Sequence, residues 1–181
     1  MRVISGIARG TKLDSLEGLA TRPTLDRVKE SMFNIIQNKI ENACVLDLFS
    51  GSGALAIECL SRGAKEAYLC DKSKDAIKII KKNIEKTHFE SKAVIINKDY
   101  LKCLDEINKK FDIIFLDPPY ESNFAEEALK VIIKKELLNR DGIIIFETDK
   151  KDISNIEKLD INIYDLRKYG RVELIFLNRK G

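Results

Sequence analysis

The chain has 181 residues, 44% of them hydrophobic and 34% charged, with a net charge of +3. That balance excludes intrinsic disorder and leaves enough apolar side chain for one full core. No apolar run is long enough to span a bilayer and the opening MRVISGIARG lacks the apolar stretch of a secretory signal, so a cytoplasmic protein is expected.

The first segment, RVISGIARGTKL, reads as a small hairpin or extended arm, and within residues 1–13 Arg2, Arg9 and Lys12 face no acid. RPTLDRVKESMFNIIQNKI reads as a helix with Thr24 as N-cap and an apolar stripe of Leu25, Val28, Met32, Ile35 and Ile36. The intervening DSLEGLAT carries no signal of its own. From Val45 onward short apolar runs alternate with helical patterns. Val45–Phe49 is a strand, GALAIECLSRG a helix closing at Gly63, and Glu66–Asp71 a second strand. Ser73–Lys86 is a helix capped by Ser73, with Ala76, Ile79, Ile80, Asn83 and Ile84 on one face. Ala93–Asn97 is a third strand, followed by a short helix around Tyr100–Asn108. DIIFLD is a fourth strand, NFAEEALKVIIKKE a helix and GIIIFET a fifth strand. This alternation predicts a doubly wound α/β fold whose parallel sheet is covered on both faces. The last segment, INIYDLRKYGRVELIFLNR, breaks the rhythm with two strand-like runs around Tyr169-Gly170, a hairpin appended as an antiparallel edge. One domain is expected over 1–181, with an arm and helix in 1–40 and the catalytic core in 41–181.

Basic residues return at the end, where Arg167, Lys168, Arg171, Arg179 and Lys180 outnumber Glu173 and leave the middle of the chain net acidic. Basic ends on an acidic centre fit an electrostatic footprint for nucleic acid, and they also fit the ordinary charge of solvated termini; taken alone the pattern only modestly favours the first reading. Cys44, Cys59, Cys70 and Cys103 include no C-x-x-C pair and no neighbouring histidine, so they read as small buried hydrophobes in a reducing compartment, and no metal site is expected. His88, the lone histidine, falls in a loop signal and reads as a surface residue.

Two stretches carry the chemistry. DLFSGSGALA, residues 47–56, follows a strand and opens a helix, the position at which doubly wound sheets bind ligands. Gly51 and Gly53 allow close backbone approach, and the helix beyond offers unpaired N–H groups. The stretch also fits G-x-G-x-x-A, but Asp47, four residues before Gly51, suits a cationic or amine-bearing ligand better than the pyrophosphate of NAD. Asp71 ends the second strand, where a carboxylate can accept from both hydroxyls of a ribose, and Asp99 follows the third, where it could accept from an adenine amine or simply cap a helix.

The second stretch, FDIIFLDPPYES, ends a core strand on Asp117-Pro118-Pro119-Tyr120. Two prolines stiffen the loop and remove its N–H donors, so the Asp117 carboxylate and the Pro118 carbonyl form a wall of acceptors. Such a wall suits a group that only donates, such as the exocyclic amine of a nucleobase, and Tyr120 offers a face for stacking. The lone pair of an aryl amine is delocalised into its ring. Holding both amine hydrogens favours a pyramidal nitrogen aimed at an incoming carbon, and the rest is alignment.

Asp47-x-Phe49-x-Gly51-x-Gly53 together with Asp117-Pro118-Pro119-Tyr120 resembles the class I S-adenosylmethionine-dependent amino-methyltransferases. With the N-terminal RVISGIARGTKL and RPTLDRVKESMFNII, the chain resembles the RsmD family of bacterial 16S rRNA guanine-N2 methyltransferases over essentially its whole length. The resemblance implies a Rossmann-like seven-stranded sheet with its last strand antiparallel, and S-adenosylmethionine as cofactor. It implies cofactor contacts from Asp47, Phe49, Ser50, Gly51, Ser52, Gly53, Asp71, Lys72, Asp99 and Tyr100, with the target base at Asp117, Pro118, Pro119 and Tyr120. It further implies that Arg22, Thr24 and Arg27 lie near cofactor or RNA, that Arg2, Arg9 and Lys12 touch rRNA phosphates, and that the substrate is 16S rRNA within the assembled small subunit. The alternative is an adenine-N6 methyltransferase of DNA or RNA, disfavoured for DNA because no segment is long enough for a target-recognition domain. An NAD oxidoreductase lacks an evident acid–base residue for hydride chemistry, and a non-catalytic RNA-binding module would not need the intact Asp117–Tyr120 motif.

Overall fold

Strands buried on both faces need apolar residues at consecutive positions, and the middle strands have them. The computed structural model describes residues 1–16, 23–119, 123–148 and 154–181, without the side chains of 23–26. Seven strands form one sheet: β1 (Cys44–Asp47), β2 (Glu66–Cys70), β3 (Ala93–Ile96), β4 (Phe111–Leu116), β5 (Leu138–Thr148), β6 (Asn162–Tyr169) and β7 (Val172–Asn178). Their order is β3-β2-β1-β4-β5-β7-β6, with β7 antiparallel to both β5 and β6. The order reverses between β1 and β4, so the carboxyl ends of these two strands open the crevice in which such sheets hold ligands.

Alternate residues of each strand feed two separate cores. Val45, Ile113, Phe115 and Ile145 pack on one face against α1 (Pro23–Ile36), α2 (Ala54–Ser61) and α3 (Lys74–Thr87). Leu46, Ile114, Leu116 and Phe146 pack on the other against α4 (Tyr100–Glu106), α5 (Phe124–Lys134) and α6 (Ser154–Glu157). Among the described residues no helix is long and apolar enough to cross a membrane.

The expected elements are present with shifted edges. α1 begins at Pro23, so Thr24 is its second residue and not its N-cap; proline suits the first helical position because its missing N–H would have no partner there. Phe33, absent from the expected stripe, is fully buried beside Val28, Met32 and Ile36. Gly142, expected to open the fifth strand, lies inside it: β5 starts at Leu138, and its register on β4 shifts between Phe111 and Ile113. On α3 the buried face includes Ile77 and Thr87, while Ile79 is half-buried. Cys59, Cys70 and Cys103 are buried, and Cys44 is half-buried.

The N-terminal arm is a hairpin docked on α2. It closes through Val3 N–H to the Thr11 carbonyl at 3.0 Å and Gly10 N–H to the Val3 carbonyl at 2.9 Å. Glu58, fully buried in α2, accepts from the amides of Ile4 at 2.8 Å and Ser5 at 3.0 Å, and its charge is met by Arg62 at 2.8 Å and Lys29 at 3.4 Å. A buried carboxylate is tolerated only with such company. Gly6 sits at φ +84, and a Cβ there would come within 1.8 Å of the Ser61 carbonyl oxygen, so no other residue fits this contact. Asn83 of α3, also fully buried, donates to the carbonyls of Asp14 and Ser52, both at 2.9 Å, tying the end of the arm to the glycine turn.

Candidate active site

The carboxyl ends of β1, β2, β4 and β5 converge on one cavity of about 590 Å³. The turn after β1 forms its floor. Gly51 at φ +54 and Gly53 at φ +78 adopt the left-handed backbone that glycine alone enters without strain. The two serve different ends. A Cβ on Gly53 would press Leu69 at 3.0 Å, whereas one on Gly51 would meet nothing within 4 Å, so at Gly51 the backbone borders open space. The turn is pinned by Ser50 N–H to the Cys70 carbonyl at 2.9 Å and by Ser50 Oγ–H to the Asp47 carbonyl at 2.8 Å.

The acids at the strand ends divide into two kinds. Asp71 accepts from Gly51 N–H at 2.9 Å and Ser73 N–H at 2.8 Å, so it braces the turn as well as lining the cavity. Asp99 caps α4, accepting from Leu101 N–H at 3.0 Å, and borders the same cavity. Asp47 is different. It is 1% exposed, and neither carboxylate oxygen has a hydrogen-bond partner among the described residues. Burial pushes its carboxyl up to about 7; the Ala56 amide opposes this, Asp71 nearby adds to it, and the Ser50 hydroxyl and Phe49 amide oppose it in turn, none of these donors being within hydrogen-bond limits of the carboxylate. A buried, unsatisfied acceptor bordering a cavity calls for a donor from a ligand. Asp117 is open to the cavity but hemmed by protein elsewhere; that desolvation, then Glu147 and Asp47, hold its carboxyl well above the usual carboxylate range. Pro118 is buried behind it, and Pro119 is exposed and lines the cavity.

One wall is aromatic. The Phe49 and Phe124 rings lie parallel, 6.5 Å apart with 6° between planes, and Tyr100 stands 5.2 Å from Phe49 and 5.0 Å from Phe124. The Tyr100 hydroxyl donates to Glu127 at 2.5 Å, and burial followed by that carboxylate raises its pKa. The ammonium of Lys72 is 5.8 Å from the Phe124 ring. A wall of aromatic rings with the Asp71 and Asp99 carboxylates lining the same cavity fits a nucleoside: ring against the aromatics, polar edges at the acids.

Of the expected site residues, Asp47, Phe49, Ser50, Gly51, Ser52, Asp71, Lys72, Asp99, Tyr100, Asp117, Pro118 and Pro119 all border this one cavity. Gly53 shapes the turn from below. Tyr120 and Arg22, and the side chain of Thr24, lie outside the described residues. Arg27 is exposed on α1, one residue before Val28, which lines the cavity. Arg2, Arg9 and Lys12 are not among the lining residues; they are exposed on the hairpin. Sequence reasoning missed the opposite wall, built by Met1, Leu16, Val28, Lys29 and Met32, together with Phe124 and Glu147. Glu147 carried a usable signal, being one more acid at the end of a predicted strand.

A family model described as "Conserved hypothetical protein 95" matches residues 1–178. The ribosomal RNA small subunit methyltransferase D of Haemophilus influenzae is 38% identical over 153 residues, covering 83% of this chain and 79% of that protein. The protein of the same name from Escherichia coli is 33% identical over 149 residues, covering 82% and 75%. A solved structure from Escherichia coli superposes with a TM-score of 0.87 at 29% identity, over 100% of this chain and 98% of that one. Another, from Haemophilus influenzae, gives 0.82 at 32% identity, over 99% and 98%.

Proposed function

The chain belongs to this family, the one that contains the ribosomal RNA small subunit methyltransferases D, and we propose that it methylates the exocyclic N2 amine of a guanine in 16S rRNA with S-adenosylmethionine as donor. The observation that carries the proposal is the sharing of one cavity by a glycine turn with an orphaned buried carboxylate and a proline-stiffened wall of acceptors. Asp47 would take the ammonium of the methionine moiety, the backbone at Gly51 would lie along it, and Asp71 would receive the ribose hydroxyls. The Phe49, Tyr100 and Phe124 rings would flank the adenine, with Asp99 at its amine. The bound sulfonium supplies an already activated methyl carbon.

The protein's own task is to present the amine. Asp117 and the Pro118 carbonyl would each accept one hydrogen of the guanine N2 group, turning its lone pair outward. The prolines set that geometry before the base arrives, so little reorganisation is needed on binding. Asp117 need not be a strong base, because the nitrogen becomes acidic once it carries the new carbon; its carboxylate holds the proton that leaves. Met1 and Leu16 of the arm and Val28 and Met32 of α1 give the cavity a further apolar lining. The basic hairpin, exposed beside this cavity's rim residue Met1, would grip RNA phosphates through Arg2, Arg9 and Lys12.

The direct test supplies radiolabelled S-adenosylmethionine with unmodified small subunits, naked rRNA and DNA in parallel, and then identifies the labelled base. Label on N2-methylguanine from rRNA supports the proposal. Label on N6-methyladenine, or on DNA alone, overturns it.

A further inference from the structure

Two acceptors that grip an amine do not say which base carries it. Adenine, cytosine and guanine all present an exocyclic –NH₂ with two donor hydrogens. What separates guanine is the atom beside the amine: N1 carries a hydrogen, whereas the neighbouring ring nitrogens of adenine and cytosine are acceptors. A site that reads guanine through this edge therefore needs a further acceptor next to Asp117.

The sheet supplies one. β4 and β5 run parallel with Leu116 opposite Phe146, so continuing that register by one residue sets Asp117 beside Glu147. Leu116 and Phe146 face the α4–α5 core, and the next residue of each strand turns to the other side. That side is where Val28, Lys29 and Met32 of α1 border the cavity, and both Asp117 and Glu147 line it with them. Glu147 is also the foremost charge raising the Asp117 carboxyl, so the two acids are close enough to repel. A ligand edge bearing consecutive donors would relieve that repulsion; one with an acceptor in second place would add to it. Asp47, buried in the same cavity with neither carboxylate oxygen hydrogen-bonded among the described residues, is an independent sign that this cavity takes a ligand with donors.

We propose that Glu147 is the specificity-determining residue of the base subsite, accepting the N1–H of guanine next to the amine held by Asp117 and Pro118. The assignment rests on the guanine-N2 reading above. It makes Glu147 a reader of the base and assigns it no part in moving the methyl group.

The test uses small subunits reconstituted around 16S rRNA that carries either guanosine or 2-aminopurine riboside at the labelled position. 2-Aminopurine keeps the 2-amino group but has a bare acceptor at N1. The wild-type chain is expected to favour guanosine by on the order of 10²-fold or more in kcat/KM, because an acceptor would face an acceptor. In Glu147→Gln the side-chain amide can donate to the bare nitrogen, and the preference is expected to fall at least tenfold. Glu147→Asp keeps the carboxylate and should keep the preference. Equal wild-type rates on the two bases overturn the assignment, and so does a preference unchanged in Glu147→Gln, which would mean that Asp117 reads N1–H alone. Should Glu147→Gln bind S-adenosylmethionine yet methylate neither base, Glu147→Asp decides: guanosine preference retained supports the assignment, and its disappearance overturns it. Label appearing on adenine instead of guanine would refute the parent reading, an outcome distinct from all of these.

Discussion

Replacing Asp47 by Asn should stabilise the protein while impairing it. Burial pushes the wild-type carboxyl up to about 7 in the fold against 3.8 in its ordinary state, more than the nearby Ala56, Ser50 and Phe49 donors can offset. The folded state therefore keeps a proton that the unfolded chain has already released. Stability falls as pH rises from about 4 to about 7, and the full cost is present above that. At ~1.4 kcal/mol per pH unit, the cost amounts to about 4 kcal/mol. Asn keeps the shape and removes the charge, so urea denaturation at pH 8 should show Asp47→Asn more stable by up to about 4 kcal/mol. With a slope near ~2 kcal/mol per molar urea this moves the midpoint by about 2 M. At pH 5 the gap should shrink to about 1.5 kcal/mol. Asp117 is also held upward and will tilt the wild-type curve, so the difference between the two curves is the quantity that isolates Asp47. The same variant should bind S-adenosylmethionine about 10- to 100-fold more weakly, the worth of one charge-assisted hydrogen bond. Parallel stability curves for the two proteins would refute the claim that Asp47 is a buried, unsatisfied carboxylate. A stabilised variant with unaltered cofactor affinity would refute its assigned role.

Asp117→Ala should lower methyl transfer about 10²-fold or more while leaving S-adenosylmethionine affinity within a factor of two or so, read by single-turnover kinetics beside calorimetry; unchanged transfer removes Asp117 from the mechanism. Gly6→Ala should undock the arm, since the new Cβ would meet the Ser61 carbonyl oxygen at 1.8 Å and φ +84 disfavours a side chain. Limited proteolysis should then cut within residues 2–13, and backbone strain alone should cost about 1–3 kcal/mol of stability; an arm as resistant as the wild type counts against the docking. Neutralising Arg2, Arg9 and Lys12 together should weaken rRNA binding and reduce the slope of log K against log salt by roughly 0.7–0.9 for each phosphate the arm no longer neutralises; an unaltered slope would free the hairpin of that role.

The sheet was legible because its strands are short, apolar and spaced by helices, and the glycine turn and the acid-proline-proline end were legible because each is contiguous. Tertiary partnerships were not. Glu58 sits among Cys59, Leu60 and Ile57 on a helix with no polar face to explain it, and only the docked arm gives that carboxylate its amides. Ser15 and Leu16 come from a segment with no periodicity, yet both line the cavity because Asn83 holds Asp14 beside the glycine turn. Phe124 reads as a helix residue and no more until Phe49 and Tyr100 are found against it. Thr24 was misplaced by one turn signal outweighing another: threonine is a common N-cap, but Pro23 before it fits the first helical position, and the helix starts there.

The five strand-end acids that border the cavity show how one chemical type takes two roles. Asp71 and Asp99 already accept backbone amides, so each has a structural reason to be there and would keep it with no ligand bound. Asp47 has no such reason. The fold would be more stable with an amide or an apolar residue of its size, so a carboxylate there makes sense only through what it binds. Asp117 and Glu147 face the same cavity on adjacent strands, a repulsive arrangement that a row of ligand donors would turn into an attractive one. Asp71 and Asp99 hold the rim in shape; Asp47 and Asp117, both pushed upward by burial, raise the free energy of the bare site and lower that of a site holding donors. Preorganisation of this kind predicts an ordering among variants. Substitutions at Asp47 and Asp117 should cost function and spare or raise stability, whereas substitutions at Asp71 should cost both, because removing it also releases the Gly51 and Ser73 amides.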